Sequence, residues 1–163
     1  MTARPDRELT ARGSGALFRK GMRMQVPVKS TVLVVDDDLP IVEVVCEVLD
    51  EVQIAAAGCT QSQLAYPWIR AHQLQVVLLD LQMPELDGVE VFRQLRADPA
   101  TQAIPVIFFT ANAPKLQQRL PDYQTLGVEL LPKPFDVDTL LGAVTRALHV
   151  PGRAPSAVHH GHA

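Results

Sequence analysis

The sequence predicts an α/β fold, a five-stranded parallel sheet with helices on both faces. Three observations carry that prediction. Short apolar runs alternate five times with segments of helical periodicity, the pattern of strand–helix–strand units. The central run, VVLL at residues 76–79, is too short for a buried helix and suits a strand buried on both faces. Four runs also end in residues of definite chemistry: Asp36 with Asp37, then Asp80, Thr110 and Lys133. Those ends lie along one edge of a parallel sheet, where such sheets place their chemistry.

Each element has a local signal. Residues 31–35 form the first strand and run into Asp36, Asp37 and Asp38. Asp38 and Pro40 start a helix whose apolar face is Ile41, Val44, Val45, Val48 and Leu49. A weaker second strand covers residues 52–57, and residues 64–71 read as a helix that Pro67 delays or kinks. The central strand covers residues 75–80. Asp87-Gly88 then opens a helix with Val89, Phe92 and Leu95, which ends around Asp98-Pro99. Residues 105–109 form a fourth strand. Leu116 and Leu120 fit one short helix, which Pro121 ends. After a fifth strand at residues 128–131, Asp136 caps a last helix with Val137, Leu140, Leu141, Val144 and Leu148 inside.

The sequence divides into a disordered basic extension at 1–30, one folded domain at 31–150 and a disordered tail at 151–163. Translation beginning at Met22 or Met24 would leave part of the extension outside the natural protein, and the sequence does not choose between these starts and Met1. His159, His160 and His162 in the tail read as solvated residues rather than a metal site. The net charge of −3 is unevenly placed. Residues 1–30 carry seven basic residues against Asp6 and Glu8, a net of +5, and the rest carries 8 basic and 16 acidic residues. An acidic body argues against direct nucleic-acid binding by the folded part. No run approaches the ~18 apolar residues of a membrane span, and arginines and acids interrupt any signal-peptide core. Cys46 and Cys59 read as buried free thiols, which fits the cytoplasm.

Convergence of the strand ends has an electrostatic consequence. Two carboxylates about 5 Å apart repel by roughly 3 kcal/mol at an effective dielectric near 20. Three of them call for strongly raised pKa values or a bound cation. An incomplete all-oxygen site suits Mg²⁺ better than zinc. Asp80 could then attack a phosphoryl group, with Lys133 and Thr110 contacting the phosphoryl oxygens. Taken singly, these residues have plain readings too: Asp36 to Asp38 as a helix cap, Asp80 as a turn residue, Lys133 as a solvated lysine. Their joint occurrence at strand ends is what points to one site.

VLVVDDD, LLDLQMPELDG, FFTA and LPKPF, in this order and spacing, resemble the receiver domain of two-component response regulators, chemotaxis receivers included. The resemblance implies a flavodoxin-like strand order, 2-1-3-4-5. By position it implies Asp80 as phosphoacceptor and Asp36, Asp37, Asp80 and the Gln82 backbone carbonyl as the Mg²⁺ site, Asp36 largely through water. Thr110 becomes the hydroxyl that moves toward the phosphoryl group, and Lys133 the phosphate-pairing lysine. The implied donor is a sensor histidine kinase or histidine phosphotransfer protein, and the output is altered contact with a downstream protein. Leu130 departs from the pattern, because many receivers have an aromatic residue there that changes rotamer with the threonine. Pro114 and Pro121 bracket the fourth helix, and Pro67 disturbs the second.

The chain is therefore expected to be a single-domain receiver, with no enzymatic activity beyond self-phosphorylation and self-dephosphorylation. One alternative is a phosphorylation-independent adaptor on the same fold. Another is a phosphatase of the haloacid-dehalogenase type using Asp36 and Asp38, which would leave Asp80 unexplained.

Overall fold

The computed structural model describes the backbone of residues 17–19 and 22–24 and all of residues 31–149. Leu17–Arg19 (β1) and Met22–Met24 (β2) pair as a short antiparallel hairpin inside the segment that reads as disordered. The rest of that extension, the 151–163 tail and its three histidines lie outside the described residues.

Five parallel strands form the main sheet: Val32–Val35 (β3), Ala56–Cys59 (β4), Val76–Leu79 (β5), Val106–Thr110 (β6) and Val128–Pro132 (β7). They lie in the order β4-β3-β5-β6-β7, the expected 2-1-3-4-5. Val34 aligns with Leu78, and Leu79 with Phe108. The helices are Leu39–Glu51 (α1), Ser62–Ala71 (α2), Gly88–Ala97 (α3), Ala113–Arg119 (α4) and Val137–Leu148 (α5).

Side chains alternate across a strand, so the apolar runs split between two cores. Val32, Val34, Val76, Leu78, Ile107 and Phe109 face α1 and α5. Leu33, Val35, Val77, Leu79 and Phe108 pack with residues of α2, α3 and Leu116 of α4. Cys46 and Cys59 are buried in different cores, one on each side of the sheet, and are not joined in a disulfide.

Several boundaries and faces depart from expectation. Helix α1 buries Val42, Val45, Cys46 and Leu49, while Val44 is 58% exposed. Seven of nine residues from Ile41 to Leu49 are apolar, so the stripe is wider than the sheet can cover and its outer side faces solvent. Val137 of α5 is likewise 51% exposed, and Ala143 and Ala147 join Leu140 and Val144 on the inner face. Strand β4 starts at Ala56 rather than Val52, because α1 continues to Glu51 and then turns through Gln53 at φ 62. The Ile54 N–H returns to the Leu49 carbonyl across that turn, as in a left-handed helix end. Helix α2 starts at Ser62 and keeps Pro67 inside it. Pro67 is exposed, on the side where water can satisfy the carbonyl that the missing N–H leaves free.

Replacing Leu49 with alanine is expected to cost about 3 kcal/mol of stability, whereas Val44→Ser should stay within about 0.5 kcal/mol. Urea denaturation of both variants checks which face of α1 is inside.

Candidate functional site

Three strand ends build the site. Asp36 follows β3, where its N–H donates to the Cys59 carbonyl at 3.1 Å and its Oδ1 accepts the Asp38 N–H at 2.9 Å. Asp80 follows β5, its N–H donating to the Val35 carbonyl at 2.8 Å. Lys133 follows β7, its N–H donating to the Thr110 carbonyl at 2.9 Å. From there the Lys133 ammonium reaches back over the sheet edge. Its Nζ donates to Asp36 Oδ2 at 2.6 Å and to Asp80 Oδ1 at 3.3 Å. It also sits 4.6 Å from the centre of the Phe109 ring.

Asp36 and Asp80 are 1% and 5% exposed, and Asp37 beside them is open to solvent. Carboxylate oxygens of Asp36, Asp37 and Asp80 lie within 4.8 Å of one another. Burial raises the Asp36 carboxyl above its usual range, and the Lys133 hydrogen bond only partly offsets this. Burial, then the charge of Asp36, pushes Asp80 up to about 6. Burial alone would lower the Lys133 ammonium, but the bond to Asp36 and the charges of both aspartates leave it raised. One lysine thus faces three carboxylates, two of them nearly sealed from water. Such an oxygen-only, electron-rich pocket, open on the Asp37 side, fits a hard divalent cation that keeps part of its water.

Thr110 ends β6, on the strand next to β5, and is 1% exposed. Its Oγ1 accepts the Asn112 N–H at 3.0 Å, leaving the hydroxyl proton available to a further acceptor. Asn112 in turn caps α4 by accepting the Lys115 N–H at 3.0 Å. Gln82 lies two residues beyond Asp80 with its side chain exposed. Leu130 lies opposite Phe108 in the β6–β7 pair and packs, half-buried, against the α2–α3 side core.

One residue of this site carries a role that its sequence signal did not reveal. Gly88 reads as helix-start punctuation, yet a Cβ built there would lie 2.2 Å from the Asp80 carbonyl oxygen and 3.0 Å from Phe108. Its N–H donates to the Leu81 carbonyl at 2.9 Å. The first turn of α3 therefore presses directly on the backbone of Asp80. Asp87 caps that turn, its Oδ1 accepting the Val89 and Glu90 N–H groups at 2.9 and 3.1 Å.

Comparison with known proteins matches this arrangement. The family model for the response regulator receiver domain covers residues 32–145. The chain belongs to the response regulator receiver family. Receivers typically bind Mg²⁺ at an acidic pocket, and the Asp36, Asp37 and Asp80 cluster stands in that place. A curated relative, the DNA-binding dual master transcriptional regulator RpaA of Synechocystis, is 34% identical over 79% of this chain and 53% of its own length. The chain thus spans about half the length of that relative, and 38% of the response regulator Rre1 from the same organism. Among solved structures, the receiver domain of a histidine kinase from Syntrophus aciditrophicus superposes with a TM-score of 0.68 at 25% identity, covering 78% of this chain and 96% of that one. The chemotaxis response regulator CheY4 of Vibrio cholerae, at 23% identity and a TM-score of 0.65 over 74% of this chain and 99% of its own, shares the fold. Family membership leaves no place for the haloacid-dehalogenase reading. No helix among the described residues is long and apolar enough to cross a membrane.

Two outcomes are expected from this geometry. A carboxyl raised from 3.8 to about 6 holds its proton more tightly in the native state than in the unfolded chain. Metal-free protein should therefore lose stability as pH rises through that window, with no further change from this group above it. Asp80→Asn, which cannot ionise, should be more stable than the parent at pH 7 by on the order of 2 kcal/mol, with the gain vanishing below pH ~4. Denaturant midpoints measured in a chelator across pH check this. Gly88→Ala should cost about 1–3 kcal/mol through overpacking against Asp80, measured in the same assay.

Proposed function

We propose that the chain is a phosphoacceptor: Asp80 takes a phosphoryl group, with Mg²⁺, from the phosphohistidine of a sensor kinase or histidine phosphotransfer protein in the cytoplasm. The observation that carries this reading is the Lys133 ammonium held between Asp36 and Asp80, residues 97 and 53 positions away in sequence. Convergence of those three groups at one strand edge, with the two acids nearly sealed, supports a functional site over a surface ion pair.

A divalent cation held here would supply positive charge that offsets the carboxylates and the incoming phosphoryl group. Asp36 and Asp37, with the Asp80 side chain and the Gln82 carbonyl, are the groups proposed to hold it. An Asp80 carboxylate oxygen forms the new bond to phosphorus as the bond from phosphorus to the donor imidazole nitrogen breaks. Lys133, already 3.3 Å from Asp80 Oδ1, is placed to pair with the oxygens of the arriving group. The Thr110 hydroxyl has a proton to donate to another. Catalysis on this reading is positioning and charge neutralisation, which is what phosphoryl transfer mostly requires.

The consequence is a change in protein–protein contacts rather than turnover of a substrate, since receivers are generally not enzymes. The acidic folded part disfavours direct nucleic-acid contact. RpaA of Synechocystis is a DNA-binding regulator, and the match to this chain spans 53% of its length. Leu130 favours a second reading, a constitutive adaptor, because a half-buried leucine offers Thr110 no aromatic ring to trade places with. Beryllofluoride with Mg²⁺ separates the two. A phosphoacceptor should change its spectrum or partner affinity on addition, and an adaptor should not.

Incubation with acetyl phosphate or a phosphorylated histidine donor should label the parent protein with phosphate that is labile to acid, base and hydroxylamine, as an acyl phosphate is. Asp80→Asn should abolish the label, and Lys133→Ala should reduce it by 100-fold or more, as loss of a charge clamp does. Full labelling of Asp80→Asn would refute the assignment.

A further inference from the structure

The loop between Asp80 and α3 has to hold its shape, because it carries both the phosphoacceptor's neighbour and Gln82. Two of its side chains, Leu81 and Met83, are anchored in the core at 0% and 8% exposure. The turn that follows them is held less deeply, with Leu86 half-buried against the same core and Pro84 and Glu85 exposed. Glu85 is exposed and sits at φ 68, a left-handed conformation that a non-glycine residue adopts only when its surroundings impose it. The turn closes on itself through the Leu86 N–H, which donates to the Pro84 carbonyl at 2.8 Å.

One hydroxyl from another element spans that turn. Ser62, the first residue of α2, is 2% exposed. Its Oγ donates to the Pro84 carbonyl at 2.9 Å and accepts the Leu86 N–H at 3.2 Å. A single oxygen acting in both directions ties the two residues that flank Glu85. Alanine at this position would remove both bonds and leave Glu85 free to leave its left-handed conformation.

We propose that Ser62 is a positioning residue for the phosphoacceptor loop, its hydroxyl clamping the turn at Glu85 and thereby fixing where Gln82 is presented to the cation. This rests on the phosphoacceptor reading above and adds to it an element, α2, that contributes no group to the acidic cluster. Ser62 acts at one remove, as the hydrogen-bonded partners of metal-binding groups commonly do. Strain at Glu85 supplies a distinctive test. Glycine adopts positive φ without steric cost, so Glu85→Gly should make the clamp dispensable.

Mn²⁺ replaces Mg²⁺ as the probe, since the free ion is counted directly by electron paramagnetic resonance. Titrations would compare the full chain with Ser62→Ala, Ser62→Thr and the double variant Ser62→Ala with Glu85→Gly. Amide exchange at Leu86 and the thermal midpoint would be read on the same samples. Ser62→Ala should weaken Mn²⁺ binding about 10-fold and speed exchange at Leu86. Affinity should return in Ser62→Thr, in the double variant, or in both. Unchanged Mn²⁺ affinity in Ser62→Ala overturns the proposal, as does a loss that neither rescue restores. A parent protein that binds Mn²⁺ and accepts phosphate while Ser62→Ala behaves identically refutes this inference alone. A parent that does neither refutes the phosphoacceptor reading and this inference with it.

Discussion

Repulsion between buried carboxylates is the constraint on which the rest of the structure depends. Asp36 and Asp80 are nearly sealed from water, and the closeness of Asp36 helps hold Asp80 up at about 6. A fold does not bring such groups together without a counter-charge. Lys133 supplies one positive charge, with its ammonium 2.6 Å from Asp36 and 3.3 Å from Asp80. That falls short of three carboxylates by two charges, which is the charge of a divalent ion. The same shortfall makes the pocket attractive to a cation and costly to leave empty at neutral pH.

Parallel sheet geometry delivers these groups without long side-chain reach. The β3 and β5 strands are in register from Val32 and Val76 to Val35 and Leu79, so the next residue of each, Asp36 and Asp80, emerges at the same level. Lys133 comes from β7, two strands beyond β5, and its longer side chain covers the extra distance. Backbone bonds fix the three starting points: Asp36 to Cys59, Asp80 to Val35, and Lys133 to Thr110. Gly88 fixes the other side of Asp80, by allowing α3 to approach its carbonyl more closely than any side chain would permit. Each placement is therefore a property of the backbone.

Much of this was legible in the sequence, because it depends on period and on strand ends. The runs at residues 32–35 and 76–79 are apolar at every position, and that pattern has few other meanings. Their terminal aspartates stand out as candidate site residues for the same reason, and the fold brings their carboxylates within 4.8 Å of one another. Elements lying at the surface were harder to read. Val44 and Val137 were expected inside because they are apolar and near helical spacing, but a helix packed on a sheet covers only part of its circumference. The start of β4 was misplaced because Val52 looks like a strand residue, while the left-handed Gln53 is a tertiary choice that composition does not signal. Pro67 looked disruptive, yet on the exposed side of α2 its missing N–H is tolerated. Gly88 and Ser62 were invisible in their roles, since each depends on what a residue elsewhere in the chain brings within 3 Å.

The structure ties α4 at both ends. Thr110 accepts the Asn112 N–H, and Asn112 caps the helix. At the other end Arg119 pairs with Asp87 Oδ2 and with Glu90, the former being the residue whose other oxygen caps α3. This forms a closed circuit from Thr110 through α4 and α3 to Gly88, which presses on Asp80. The circuit is weak where it crosses between helices. Arg119 is 30% exposed, and ion pairs with that access to water contribute little. Helix α4 is only seven residues long and buries a single side chain, Leu116. Short helices have little stability of their own, so movement of α4 disturbs one buried leucine and the two partly solvated ion pairs of Arg119. In a receiver whose Leu130 removes the aromatic partner of the threonine, α4 is the element that a pull on Thr110 displaces at least cost.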